Sequence, residues 1–507
     1  MSGKAARRLT EAAGDVFKRI GTIRLDHEPP SSDHPFFMEI PARQSSVIAL
    51  LVAGALFMEQ LDGTVIATAL PQMANTFEVA PVDLNIGISA YLLTVAVFIP
   101  ASGWVTDRFG ARAVFASAIA TFTIASILCA ASGTLFAFTS ARILQGIGGA
   151  MMVPVGRLIV LRNTEKPDLI RAIAFLTWPA LTAPVVGPPL GGLITTYSSW
   201  PWIFLLNVPL GIIGLALALN LIPNSRGEAA SFDWCGFLIT GFASFGVMYS
   251  LESIAHNRVD WRITGPLLAA SVWAGIYGIR HARRAVHPLL DLSPFALPTF
   301  AITVRGGLLI RTAISAAPFL LPLMFQLAFG LDPLVSGLLL LAVFAGNLGM
   351  KPATGSVLKT FGFRRTLLVN GTLVVATIMA CGLMTPDTPK ALIVAVLFVS
   401  GLSRSMQFTT INALSFSELS SERMSGANTL FSMMQQVGSA LGVAIGAIAL
   451  RVASIAHPDL AAVTVDDFHV AFLAVGLVGL AGVIEFRRLP AHAGEVLRER
   501  PAREKKS

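Results

Sequence analysis

Two carboxylates, Glu59 and Asp62, lie three residues apart in an apolar segment at 47–70 that is long enough to cross a lipid bilayer. A spacing of three places both side chains on nearly the same face of a helix. Desolvation and mutual repulsion favour protonation of at least one of them, so the pair can bind and release protons. In the structural alternative, one carboxylate only pairs with an arginine and holds two helices together.

Arg142 places a permanent cation in a second apolar segment, at 136–161, beside three glycines that allow close helix contact: Gly146, Gly148 and Gly149. A guanidinium inside a membrane needs an anionic partner, and a carboxylate of segment 47–70 is the natural candidate. In such a pair, Arg142 tunes a proton site. The alternative is that its side chain extends to the membrane interface.

Further polar and aromatic side chains in apolar segments predict a substrate cavity. Arg311 has apolar neighbours on both sides, so it is the best candidate for a cavity cation that attracts an anionic ligand or a carboxylate of segment 47–70. Trp178 either lines the cavity or anchors a helix at the interface. The predicted cavity residues are Gln60, Trp178, Arg311, Arg404 and Gln407, and Arg305 and Lys351 are further cations of the same half.

A short charged turn, Gly103–Arg112, connects two apolar segments. Gly103 and Gly110 allow close backbone approach, and Asp107, Arg108 and Arg112 can bridge neighbouring helix ends only while those ends stay together. We therefore expect a loop that latches one conformation of a moving membrane protein.

The pattern of this loop occurs twice. Pro100, Gly103, Gly110 and Arg112 match Pro352, Gly355, Gly362 and Arg364, whereas Lys359 stands where the first copy has Asp107. The glycines and the leucine of Gly187–Gly191 recur at nearly the same offset in Gly438–Gly442. In the first copy they belong to a run of prolines and glycines. Such a run kinks a helix and lets other helices pack tightly against it. Two matches in the same order indicate a duplicated bundle, and parallel repeats of this kind place the substrate cavity between the halves.

The elements that must hold these residues are membrane helices. The chain has 507 residues, of which 54% are hydrophobic and 13% charged, and its mean hydropathy is +0.70. No water-soluble globular protein of this size normally has such values. Fourteen apolar segments predict an all-α polytopic membrane protein; besides 47–70 and 136–161 they lie at 84–106, 113–132, 169–195, 201–222, 234–253, 264–281, 297–328, 334–358, 365–384, 390–415, 426–454 and 468–486.

The basic residues predict the orientation. The net charge is +8, but these residues concentrate in the two tails and in alternate short loops, which is typical of cytoplasmic loops rather than of nucleic-acid binding. Both termini are therefore expected in the cytoplasm. The predicted organisation is a cytoplasmic tail at 1–46, a six-helix bundle at 47–225, two inserted helices at 226–288, a second six-helix bundle at 289–488 and a cytoplasmic tail at 489–507. We expect no signal peptide before the first helix, which itself is expected to direct insertion.

The sequence carries no sign of an enzyme or of a nucleotide-driven pump. It has no phosphate-binding G-x-x-x-x-G-K-[ST] loop, no H-E-x-x-H pair and no cysteine spacing for a metal or a disulfide. We expect no metal and no cofactor, so that the energy comes from an ion gradient. The expected partners are a small-molecule substrate, protons and the lipid bilayer; whether a periplasmic adaptor binds is left open.

Five stretches together resemble the major facilitator superfamily, and specifically its fourteen-helix drug:proton antiporter branch of EmrB/QacA type. Leu61–Pro71 resembles the signature of the first helix, Gly103–Arg112 the superfamily loop and Arg142–Ala150 the proton-linked motif of the fourth helix. Gly187, Pro188, Gly191 and Gly192 resemble the antiporter motif of the fifth helix, and Trp202–Gly211 the start of the sixth. The amino-acid sequence of Met151–Arg157 is most similar to the corresponding segment of MdtD-like multidrug transporters.

The resemblance implies proton-coupled export of small amphipathic compounds, such as drugs, across the inner or plasma membrane by alternating access. It supports proton coupling by Asp62 and Arg142, and the spacing of the two carboxylates adds Glu59 as a further proton site. Glu59 departs from the pattern of the branch, which has a neutral residue there, and Ala183 departs from an early glycine of the antiporter motif. Two alternatives remain: an exporter of a specific endogenous anion, favoured by the cations of the second half, and a sensor that transports nothing.

Overall fold

The computed structural model describes residues 42–79, 84–164, 168–223, 226–227, 231–255, 259–420, 423–455 and 464–497, so most of both predicted tails lies outside it. All regular structure in these ranges is helical, as predicted, because a helix satisfies its own backbone polar groups where no water is available. In chain order the α-helices are α1 Ala42–Phe77, α2 Asn85–Phe98, α3 Ser102–Phe109, α4 Ala111–Ala130, α5 Leu135–Arg162, α6 Leu169–Tyr197, α7 Pro201–Leu205, α8 Asn207–Leu221, α9 Trp234–Ala255, α10 Trp261–Arg284, α11 Pro298–Leu323, α12 Pro333–Gly349, α13 Lys351–Phe361, α14 Phe363–Gly382, α15 Lys390–Phe416, α16 Met424–Ile455 and α17 Val465–Phe486.

The number of membrane spans is the part of the fold prediction that stays open. Within the described residues, eleven helices are long and apolar enough to cross a membrane, and a twelfth results if α12 and α13, which meet at a 52° bend, form one broken span. Segments 169–195 and 264–281 are helical, as α6 and α10, but are not among these. A count of fourteen spans therefore remains a prediction.

The helix packing repeats along the chain. In the first half α1 packs on α6 and α8, α2 on α5, and α4 on α5 and α8. In the second half α11 packs on α16 and α17, α12 on α15, and α14 on α15 and α17. Helices α9 and α10 pack on each other, and α9 also contacts α2 and α16, one helix from each half. This order of contacts fits a duplicated bundle with an inserted helical hairpin.

Asp233, at the start of this hairpin, ties it to the second half. Its carboxylate accepts the backbone N–H groups of Gly236 and Leu289 and lies 2.9 Å from Nε2 of His281. Burial raises the pKa of Asp233, but the hydrogen bonds from Gly236, His281 and Leu289 outweigh it, so the pKa is lowered. The carboxylate is therefore held in its charged form, as a fixed joint between α9, α10 and the chain that enters α11.

The repeated charged loop is confirmed as a repeated turn. Gly110 ends α3 with φ of 92° and Gly362 ends α13 with φ of 74°, a backbone region in which glycine alone is unstrained. Each turn is followed at once by the next helix, α4 or α14. The two glycines are therefore required by the same sharp reversal of the chain.

Helices α12 and α15 approach until their backbones touch, at Gly346 and Gly401. A Cβ atom at Gly401 would overlap the backbone oxygen of Val343, and one at Gly346 would overlap that of Phe398. Close approach of this kind replaces the hydrophobic effect, which does not drive association between helices in lipid.

Gly401→Ala is expected to separate α12 from α15 and to lower the stability of the folded protein by about 1–3 kcal/mol, the usual cost of overpacking. The measurement is the unfolding temperature of detergent-solubilised protein. It is read from the folded fraction that size-exclusion chromatography detects after heating. Gly337→Ala on α12, where a Cβ would meet nothing within 4 Å, is the matched control. Equal unfolding temperatures for both variants would contradict the role given to this contact.

Candidate functional site

Asp62 lies at the centre of a buried polar network inside the first half. Arg142 Nη1 donates to Asp62 Oδ2 over 2.6 Å, and Gln145 Nε2 and Asn207 Nδ2 donate to Oδ1 over 2.9 and 3.0 Å. The same two amides also donate to Ser126 Oγ. Asp62 is 4% exposed and Arg142 1%. We call these five residues the Asp62 network; it gives Arg142 the carboxylate partner expected on α1.

The sequence of α5 explains how the network is assembled. Arg142 and Gln145 are three residues apart and therefore project from one face of the helix. One turn further on, Gly146 lies against Tyr91 and Thr94 of α2, and Gly148 against the backbone of α4. Without side chains at these two positions, α5 can lie close to both neighbours, which brings its polar face to Ser126 on α4 and to Asp62 on α1.

An ion pair in such a place is sensitive to protonation. Its desolvation is offset by the attraction between the charges and by the hydrogen bonds that saturate the carboxylate. A protonated Asp62 loses its charge and leaves Arg142 without compensation, and breaking a buried pair on one side costs about 3–5 kcal/mol. The charge of Asp62 therefore stabilises the packing of α1, α5 and α8 around Arg142.

Glu59 occupies a different environment, although it lies one turn from Asp62. Tyr91 Oη donates to Glu59 Oε1 over 3.1 Å. The Arg142 guanidinium lies over the face of the Tyr91 ring, 4.5 Å from its centroid. Glu59 Oε2 is buried and has no hydrogen-bond partner within the described residues. The two carboxylates are thus connected through Tyr91 and Arg142, but only Asp62 forms the ion pair.

A central cavity of about 320 Å³ lies between the two halves. Glu59 and Gln60 of α1 line it, but Asp62 does not. Four basic side chains face the same space, and we call them the cation cluster: Arg157 of α5, Arg311 of α11, Lys351 of α13 and Arg404 of α15. The remaining wall is partly apolar and partly amide, with Val95, Ile99, Ile314, Phe408, Asn347, Gln435 and Gln436 among its residues.

The structure sorts the predicted cavity residues. Gln60, Arg311 and Arg404 line the cavity. The prediction for Gln407 is wrong, because this side chain is fully buried and turned towards α14, where it accepts from Asn370 Nδ2 over 2.9 Å. Arg305 also lies elsewhere, 3.7 Å from Glu485 and 58% exposed. The side chain of Trp178 lies outside the described part of the chain, as does that of Pro188.

Five residues of the site were missed by sequence reasoning: Tyr91, Ser126, Gln145, Arg157 and Asn207. Arg157 carried a usable signal, because it is an ionisable group within the apolar segment 136–161. Gln145 in the same segment and Asn207 in the apolar run Trp202–Gly211 each place an amide among apolar residues. Tyr91 and Ser126 carried no comparable signal, since each is defined only by what lies opposite in the fold.

The first copy of the charged loop lies where the two halves meet. Ser425 Oγ donates to the Gly103 oxygen over 3.3 Å, Asn428 Nδ2 to the Pro154 oxygen over 2.7 Å, and the hydroxyls of Ser102 and Thr429 are 3.4 Å apart. We call these contacts of α3 and α5 with α16 the seal. The second copy has no such role at its glycine, because a Cβ at Gly355 would meet nothing within 4 Å. The two halves are therefore in contact at the end of the molecule that carries the loop.

Asp107 contacts the end of a helix of its own half, as expected for a latch. Its Oδ1 accepts from Arg162 Nη2 at the end of α5 over 3.0 Å, and its backbone oxygen accepts from Gly227 N over 3.1 Å. Arg108 is exposed and Arg112 half-buried, and neither takes part in this ion pair. Asp107 thus joins the loop both to α5 and to the chain that follows α8.

Asp107→Asn is expected to reduce transport about fivefold while insertion into the membrane survives. The substitution keeps the size but removes the charge, and a partly exposed ion pair contributes up to about 1 kcal/mol to the conformation that it holds. Transport rates at matched expression are the measurement. Arg108→Gln, on the same turn but outside the pair, is the control, and normal transport by Asp107→Asn would remove the latch role.

The proline and glycine run of α6 packs on α1 next to the Asp62 network. A Cβ at Gly187 would overlap Thr64, and one at Gly191 would overlap Thr68, whereas Gly192 faces open space. Of the four predicted motif residues, Gly187 and Gly191 therefore bring α6 close to the helix that carries Asp62.

Comparison with known proteins adds three findings. The family model described as "Major Facilitator Superfamily" matches residues 52–443 and 306–507. Proteins named "Putative multidrug resistance protein MdtD" are similar over most of the chain: that of Cronobacter sakazakii is 37% identical over 87% of this chain and 94% of its own, and that of Pectobacterium carotovorum is 36% identical over 87% and 95%. The crystal structure of the human organic anion transporter MFSD10 is similar with a TM-score of 0.64 and 13% identity, over 88% of this chain and 100% of that one. At this identity the last likeness concerns the fold alone.

Proposed function

The chain belongs to the major facilitator superfamily and is a multi-pass membrane protein, and we propose that it is a proton-coupled antiporter that exports small amphipathic compounds. The observation that carries the proposal is the Asp62 network, a buried carboxylate bound to a buried arginine one turn away from a cavity-lining carboxylate. The names of the MdtD relatives support drugs as substrates. We place the protein in the inner membrane with both termini in the cytoplasm, in line with its basic loops.

In this proposal the two halves rock against each other about the central cavity. Residues 47–225 and 289–488 form the moving bundles, and residues 226–288 form the inserted pair. With the termini in the cytoplasm, the loop at Gly103–Arg112 is cytoplasmic, so the seal lies on the cytoplasmic side. We propose that the described conformation is the one open outward. Exchange then requires that proton and substrate favour different conformations, because a ligand shifts an equilibrium only by its differential affinity.

The proton step falls to Asp62, with Glu59 as an auxiliary site. Protonation neutralises Asp62 and releases Arg142 from the ion pair, which lets α1, α5 and α8 repack and the seal open to the cytoplasm. Substrate entering there favours deprotonation on the return. With one proton per substrate, a gradient of one pH unit stores about 1.4 kcal/mol and sustains about a tenfold substrate gradient.

The test is a substrate screen with purified protein in liposomes under an imposed pH gradient. The expected result is substrate movement up its gradient together with proton movement in the opposite direction, and its loss when an ionophore removes the pH gradient. Substrate flux that is independent of the proton gradient would refute antiport. Binding without any flux of substrate or protons would favour a sensor, which has no need of the Asp62 network.

A further inference from the structure

We propose that the exported compound is an organic anion with an apolar body, and that it binds in the central cavity between the cation cluster and the apolar side chains beside it, among them Phe408. The inference rests on the proposed function and adds the class of substrate. Its basis is the charge of the cavity wall, which holds four basic side chains and one carboxylate, Glu59.

Three arginines of the cluster have only neutral partners. Arg157 donates to Ser432 and Gln435, Arg311 to Ser439, and Arg404 to the backbone oxygen of Ile314. Among the described residues, no carboxylate forms an ion pair with Arg157, Arg311 or Arg404. Partly buried guanidinium groups in the interior of a membrane protein are costly unless an anion compensates them. The wall of the cavity therefore carries more positive than negative charge, and a bound anion can balance it.

The arginines also suit the shape of such a ligand. A guanidinium presents its donors as a planar fork that binds carboxylate, sulfonate or phosphate groups in a bidentate manner. Each of two guanidinium groups lies over an aromatic ring, Arg311 over Phe408 at 5.0 Å and Arg157 over Phe431 at 5.2 Å. Of these two rings only Phe408 lines the cavity, and together with Val95, Ile99 and Ile314 it provides an apolar surface next to the charges. A compound with an acidic group on an apolar body satisfies both parts of the wall.

The position of the arginines relates binding to the movement of the halves. Arg157 belongs to the first half and bonds Ser432 and Gln435 of α16 in the second. Arg311 and Arg404 belong to the second half. An anion held by Arg157 and Arg311 together bridges the two halves and replaces the weak bonds of Arg157, which are 3.3 and 3.4 Å long.

Glu59 distinguishes this proposal from the binding of a cationic drug. In its ionised form, which alkaline pH favours, the carboxylate of Glu59 repels an anion in the cavity and attracts a cation. Glu59→Gln is therefore expected to increase the affinity for anions and to decrease the affinity for cations. The loss of an arginine is expected to change both affinities in the opposite direction. Arg311→Gln and Arg404→Gln should weaken the binding of anions, because they remove attraction, and strengthen the binding of cations, because they remove repulsion.

The experiment measures binding to purified protein in lipid nanodiscs by isothermal titration calorimetry, without a proton gradient. The probes form matched pairs: naphthalene-2-carboxylate with naphthalen-2-yl-trimethylammonium, and decanesulfonate with decyltrimethylammonium. We expect at least one anion to bind more tightly than its cationic match, Arg311→Gln and Arg404→Gln to weaken its binding at least tenfold, and Glu59→Gln to strengthen it severalfold. Arg311→Lys, which keeps the charge, should retain part of the affinity.

Arg305→Gln is the matched control, because this arginine lies on α11 like Arg311 but outside the cavity, beside Glu485. It should leave anion binding unchanged. Cations that bind more tightly than their anionic matches, or anion binding that is indifferent to Arg311 and Arg404, would overturn the inference, and so would the absence of binding by every anion. Antiport of a cation would refute the inference about the substrate and leave the proposed antiport standing. Anion binding without proton exchange would refute the proposed antiport and leave the inference about the substrate standing.

Discussion

Asp62→Asn is expected to abolish gradient-driven efflux, the largest effect predicted for any single substitution in this protein. Asparagine keeps the volume and can accept the hydrogen bonds of Arg142 and Gln145 only in part, but it cannot bind or release a proton. Each charge moved across 100 mV is worth about 2.3 kcal/mol, which corresponds to about a fortyfold gradient. In the variant, the substrate gradient should fall from a value of this order to none, while ligand binding persists.

The measurement is proton release on substrate addition, by purified wild-type and Asp62→Asn protein. Because the single substitution leaves Arg142 buried without a counter-charge, the double variant Asp62→Asn with Arg142→Gln serves as the control for folding. It removes both charges, so it should be more stable than the single variant and still fail to couple. Equal proton release from wild type and Asp62→Asn would exclude Asp62 as the coupling site and point to Glu59.

Gly103→Ala is expected to open the seal, whereas the same change at its repeat mate Gly355 should have no effect. A Cβ at position 103 would lie 2.7 Å from Thr429 Oγ1 and 3.2 Å from Ser425 Oγ, both of which belong to the seal. Overpacking of this size costs about 1–3 kcal/mol, and here only the sealed conformation bears the cost. The ratio of open to sealed molecules should therefore rise about 5- to 150-fold.

Distances between spin labels at Arg108 and Arg423, on opposite sides of the seal, report this shift. The exposed Cys235 is replaced first, so that labels attach only at the introduced cysteines. The distance distribution should broaden to longer values in Gly103→Ala and remain that of the parent in Gly355→Ala. Identical distributions in the two variants would show that the seal does not depend on the contact at Gly103.

The fold and the ion pair were predictable from the sequence for the same reason. Hydrocarbon penalises any unsatisfied polar group, so long apolar segments must be helices and Arg142 must find an acid. The spacing of the two carboxylates did not decide between Glu59 and Asp62, and only the resemblance favoured Asp62. Three residues turn a helix by about 300°, which leaves about 60° between the two side chains. In this protein that angle is enough to point one carboxylate into the cavity and the other into the bundle.

The errors in the cavity prediction have a related cause. Arg404 and Gln407 are also three residues apart on one helix, and the same angle turns Gln407 towards α14 while Arg404 faces the cavity. Arg305 and Arg311 lie on one helix as well, but Arg305 is a turn and a half nearer its start, where its side chain is exposed. The neighbouring helices decide which side of a helix faces a cavity. An apolar segment without a dominant polar face therefore does not predict that side from its own sequence.

The separation of Asp62 from the cavity wall bears on how such a protein changes under selection by new toxic compounds. Gln60, Phe408 and Gln435 line the cavity without touching the Asp62 network, so mutations there can alter what fits while the carboxylate keeps all three of its donors. Substrate recognition can then change one substitution at a time, while the Asp62 network stays intact at each step. We expect strains selected on unfamiliar compounds to accumulate substitutions at these wall positions and to keep Asp62, Arg142, Gln145 and Asn207 unchanged.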